Sequence, residues 1–100
     1  MVLSSGSSAQ AQNLDAGFVL NELSTKEQSA YISGVVEGLA YARFLRDRPN
    51  ETSMVCVQNW YFGAEDKKAV LAELFQLFED YKDLPVAVLV NSVAKKECGA

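Results

Sequence analysis

Apolar positions along this chain recur at spacings of three and four rather than in alternation, which is the period of helices packed on one face. Leu14 to Leu23 carries Phe18, Val19, Leu20 and Leu23. That predicts a short first helix, with Asp15 near its start and Gly17 as an internal weakness. Ser24-Thr25-Lys26-Glu27 is a capping box, in which the Ser24 hydroxyl accepts from the Glu27 amide and the Glu27 carboxylate reaches back. The helix it opens is predicted to run to about Asp47, because Pro49 disfavours helical geometry at Arg48. At ~1.5 Å per residue this element is about 35 Å long, the longest in the chain. Ile32, Val35, Leu39 and Ala42 form its apolar stripe. Arg43, Arg46 and Arg48 sit at its C-terminal end, where the helix dipole favours cations.

A second stripe on the same helix is made of small residues. Ala30, Gly34, Gly38 and Ala42 recur every four positions. Each glycine costs the helix up to ~1 kcal/mol relative to alanine. Close approach of another helix backbone would offset that cost, so the stripe is expected to mark an intrachain helix crossing, with a dimer contact as the alternative.

Residues 49 to 63 read as irregular. Pro49-Asn50 marks a turn, and Trp60, Tyr61 and Phe62 cannot all face one side of an element. Glu65 and Asp66 start the next helix, where acids complement the dipole. Val70, Leu74, Leu77, Phe78 and Tyr81 are its expected buried face, widened by Leu71 and Phe75, and it ends near Asp83. Pro85 suits the first turn of a last helix, residues 85 to 96. Val86-Ala87-Val88-Leu89-Val90 has strand propensity, but no second strand exists to pair its backbone groups. The expected fold is all-α: a compact bundle of about four helices with one long central helix, forming a single domain over residues 13–100.

The chain has 100 residues, of which 49% are hydrophobic and 22% charged, an ordinary globular mixture. A domain this small has a thin stability margin and gains from a covalent staple or a dimer interface. The net charge of −4 and the scattered basic residues argue against a nucleic-acid surface. The longest apolar run, Pro85 to Val90, is far shorter than the roughly 20 residues a membrane span requires. With no histidine, the commonest general base and metal ligand is missing, and two cysteines alone do not close a structural zinc site. No cofactor, metal or catalytic residue is expected. The acidic pairs Glu65-Asp66 and Glu79-Asp80 are adjacent in sequence, so on a helix they diverge by about 100° instead of converging on a substrate.

Near the N-terminus, Ala9-Gln10-Ala11 has the small residues of a signal-peptide cleavage site, preceded by Leu3 and a Ser/Gly run. The charged and apolar regions of such a signal are incomplete. Residues 1–12 are therefore read as a signal-peptide remnant, with Met1 an artificial start, or as the disordered tail of a cytosolic protein. Cys56 and Cys98 are the only cysteines. In an exported chain they are expected to pair, closing a loop of about 43 residues worth roughly 4 kcal/mol by the chain-entropy estimate. The alternative is two buried free thiols.

Tyr31-Ile32-Ser33-Gly34-Val35-Val36-Glu37-Gly38 on a long helix carries a further signal. A cysteine after an irregular segment, an amphipathic helix ending near Tyr81, a Leu-Pro-started helix and a terminal cysteine follow in that order. In this order and spacing, residues 14 to 98 resemble the Rap/Tai group of immunity proteins. The resemblance implies a periplasmic, all-helical, disulfide-bonded and often dimeric protein that neutralises a peptidoglycan amidase delivered by type VI secretion, by blocking its active-site cleft. Such an inhibitor needs an apolar anchor with a polar rim. Gln58, Asn59, Trp60, Tyr61 and Phe62 are the candidate partner-binding residues, although a small core also needs some of these rings. A periplasmic structural or stress protein of chaperone-like character, without a toxin target, is the competing expectation.

Overall fold

The computed structural model describes residues 14–100. The expected remnant or tail at residues 1–12 lies outside them. Among the described residues five helices follow one another: α1 (Ala16–Glu22), α2 (Thr25–Asp47), α3 (Thr52–Tyr61), α4 (Lys67–Asp80) and α5 (Val86–Cys98). The all-α class stands, with one more helix than the four expected. No helix among the described residues is long and apolar enough to cross a membrane.

The extra helix is α3, in the segment read as irregular. Met54, Val57 and Tyr61 follow helical spacing, and the last two are fully buried. Before it, the Asn50 side chain accepts from the Thr52 amide at 2.9 Å and turns the chain into the first helical residue. Beyond its end, the Gln58 carbonyl accepts from both the Phe62 and Gly63 amides.

Sequence-encoded caps set the other boundaries. The Asp15 carboxylate accepts from the Phe18 amide at 2.8 Å. Both arms of the capping box form: the Ser24 amide donates to Glu27 Oε1 at 2.8 Å and the Glu27 amide to Ser24 Oγ at 3.2 Å. Asp66 caps α4 through the Ala69 amide. The acidic start of that helix thus lies outside it, and α4 stops at Asp80, three residues before the expected end. The Ala16 and Gly17 amides donate to the Leu84 and Lys82 carbonyls at 2.9 Å, so the α4–α5 turn satisfies the N-terminus of α1. Glycine eases this approach, because a Cβ at position 17 would sit a tight 3.3 Å from the Lys82 carbonyl oxygen.

Helix α5 is the hub, packing against α2, α3 and α4, while α1 packs on α4. Its buried residues Val86, Leu89, Val90, Val93 and Ala94 follow the helical period, which resolves the strand-like run in favour of a helix. They meet Ile32, Val36 and Ala40 of α2, Val57 and Tyr61 of α3, and Leu74 and Phe78 of α4 in one core. The buried line of α2 is thus shifted from the stripe read in the sequence. Val35 and Leu39 flank it, Ala42 faces outward, and Arg43 is buried in its place. Tyr81 is exposed beyond the end of α4, not on its buried face.

The intrachain crossing expected at the small-residue stripe is corrected. Ala30, Gly34, Gly38 and Ala42 are all exposed, and a Cβ placed on Gly34 or Gly38 would have no neighbour within 4 Å. None of the described helices crosses there. The core prefers the bulkier face of α2, which buries more apolar area.

Candidate functional site

Cys56 and Cys98 are bonded, with Cα atoms 5.9 Å apart. Cys56 lies within α3 and Cys98 is the last residue of α5. The bond therefore joins two helices, and not the irregular segment foreseen between residues 49 and 63. It is compatible with an extracytoplasmic location, where disulfides persist.

The stapled helix α3 carries the five candidate partner-binding residues on its last turn and cap. The structure separates them. Tyr61 is fully buried, and its ring packs edge-on against Phe62 with centroids 5.0 Å apart. It belongs to the core and offers no contact to a partner, which corrects its assignment as an anchor. Trp60 is half-buried against the core, and Gln58 is also half-buried. Asn59 is exposed, and Phe62 retains 43% of its surface. The exposed part of this tip is thus Asn59 and Phe62, an apolar ring beside a polar group.

Lys67, at the start of α4, fastens the tip. Its ammonium lies 4.2 Å from the Tyr61 ring centroid and 5.6 Å from that of Phe62. A cation over an aromatic face is worth about 0.5–1 kcal/mol at exposed sites and more when desolvated. Residues 62–66 are therefore bounded by a disulfide-anchored helix on one side and a cation–π contact on the other. The sequence lacked a direct signal for Lys67; its position one turn beyond three aromatics becomes meaningful only once α3 and α4 meet.

A second surface feature is a concavity of about 380 Å³ between α4 and α5, with Leu77 and Val93 inside and Glu73, Gln76, Asp80 and Lys96 around it. Lys96 and Glu73 form an ion pair across it. A second concavity, which shares Leu77 and Ser92 with it, is lined by Tyr81, Leu84, Val88 and Leu89 towards the α4–α5 turn.

The acidic pairs have structural partners. Asp66 is a helix cap, Glu79 pairs with Lys82, and Asp80 accepts from Gln76, while Glu65 is exposed in the preceding loop. None converges with its neighbour on a shared pocket.

The chain matches no family model, no curated protein and no solved structure.

Proposed function

We propose that this protein is a periplasmic binding protein of the immunity type, which inhibits a peptidoglycan amidase by inserting the α3 tip into its active-site cleft. The observation that supports this reading most is the placement of Phe62 and Asn59. An exposed ring beside a polar group projects from a helix held at mid-length by a disulfide and at its end by Lys67. Pre-ordering of this kind lowers the entropy lost on binding, and aromatic anchors dominate interface energetics. Inhibition by occlusion needs no catalytic group on this chain.

The test is to mix the purified protein with peptidoglycan amidases from the genome that encodes it. Stoichiometric loss of amidase activity is expected, and Phe62→Ala should weaken inhibition by about tenfold or more, the scale of a hot-spot truncation. A second reading, a chaperone-like stress protein, draws on the apolar concavity between α4 and α5 and the exposed Tyr81, Leu84 and Val88 beside it. Undiminished amidase activity, together with suppressed aggregation of an unfolded client, would favour that reading. The homodimer implied by the resemblance belongs to the same proposal, with the exposed small-residue face of α2 as its candidate contact.

A further inference from the structure

The charged residue most deeply enclosed in this protein is Arg43, only 6% exposed. A buried guanidinium is costly unless it is paired. Among the described residues, Arg43 makes one side-chain hydrogen bond, from Nη1 to the neutral hydroxyl of Ser53 at 2.9 Å, and no carboxylate lies within ion-pair distance of it. A guanidinium has five N–H donors in a planar fork, so most of its donor capacity is unused by the described residues.

Arg43 lines a concavity of about 250 Å³ between α2 and α5, together with Arg46, Asn91 and Lys95, against an apolar wall of Leu39 and Ala42 and with Ala100 at its edge. Asp47, beside the hollow, is engaged by Arg46 through both Nε and Nη2, at 2.7 and 2.8 Å. That bond, aided by the charges of Arg46 and Arg43, holds Asp47 below the usual carboxylate range. Lys95 has no ion-pair partner among the described residues, unlike its neighbour Lys96, which pairs with Glu73. Three cations, Arg43, Arg46 and Lys95, thus line one hollow that no Asp or Glu side chain lines, on a chain whose net charge is −4.

We propose that this hollow is a binding site for one oxyanion group, a carboxylate or a phosphate, seated on Arg43 and Lys95 and oriented by Asn91. The guanidinium fork matches the two-oxygen edge of either group, Lys95 adds a point charge, and the Asn91 amide supplies a neutral donor. At about 250 Å³ the hollow is smaller than the roughly 300–1,000 Å³ of drug-sized pockets, which suits a single small anionic group. The site lies on α2 and α5 and is independent of the amidase-directed tip.

Amide chemical shifts of the oxidised protein, followed during titration with inorganic phosphate and separately with acetate, test this site. Sodium chloride at equal ionic strength is the control. Saturable shifts confined to residues 39–46 and 91–96 are expected with at least one of the two probes, and the tighter one identifies the group. Lys95→Gln, a change at an exposed position, should weaken that binding by at least about threefold, while Lys68→Gln on α4 leaves it unchanged. Arg43→Gln should abolish it; if that variant does not fold, the Lys95 comparison decides alone. Shifts that fail to saturate, that chloride reproduces, or that survive Lys95→Gln unaltered would overturn the proposal.

Discussion

The Tyr61 hydroxyl lies in the core with no hydrogen-bond partner among the described residues. A buried polar group left in this way costs about 1–3 kcal/mol of desolvation, while the ring beneath it is fully packed. Tyr61→Phe is therefore expected to leave stability unchanged or to raise it by up to about 2 kcal/mol, read as the denaturant midpoint, whereas Tyr61→Ala should lose about 3–5 kcal/mol. A comparable loss in the Phe variant would show that the hydroxyl is satisfied. The glycines of α2 give the opposite kind of test. Gly34 and Gly38 face open space within the chain, so Gly34→Ala and Gly38→Ala should each stabilise the fold by up to ~1 kcal/mol through helix propensity alone. Destabilisation, or a changed oligomeric state in sedimentation, would instead support the dimer contact proposed for that face. At these positions the sequence was misleading for a definite reason. Four-residue spacing shows which residues share a face, but not whether that face points inward, and on α2 the neighbouring line of Ile32, Val36 and Ala40 took the core. Arg43 was legible only as a cation near a helix end; its burial depends on where α3 brings Ser53.

Elements were readable where a side chain caps them. The capping box located the start of α2, and Asp15 and Asp66 located α1 and α4 to within a residue or two. Ser24→Ala should cost about 1 kcal/mol of stability, measured by chemical denaturation. Its partner supplies a pH dependence of known sign. The Glu27 carboxyl is held below its ordinary value, first by the bond from the Ser24 amide and then by the Ser24 hydroxyl. Because the folded value is depressed, this contribution is complete above the unfolded carboxylate pKa and is lost as pH falls through the folded one. Glu27→Gln keeps the cap acceptor without the charge, so its melting temperature should decline less steeply than that of the parent below about pH 5. An identical decline would show that the box contributes nothing to acid sensitivity. Helix α3 escaped notice because Thr52, Val55, Val57 and the Trp60–Tyr61 pair are poor helix formers, so propensity argued against the periodicity of Met54, Val57 and Tyr61. Packing against α2 and α5 outweighs that local deficit.

At the scale of the molecule, the fold class and the cysteine pairing followed from the sequence. The absence of a second strand and the size of the domain left few alternatives. The tip did not follow, since its shape arises from three elements meeting: α3 directs Phe62 outward and Tyr61 inward, the first turn of α4 supplies Lys67, and the end of α5 supplies Cys98. Pinning α3 to the hub helix holds that tip in register with the core. The bond also shortens the unfolded chain's reach, an effect of about 2–5 kcal/mol in small domains. The most direct measurement of this account is therefore a pair of denaturant melts on the same preparation, with and without a reductant, checked by thiol titration before and after. The account predicts no free thiol in the untreated protein and a midpoint lowered by the equivalent of about 2–5 kcal/mol on reduction. Two titratable thiols at the outset, or melts that coincide, would contradict it.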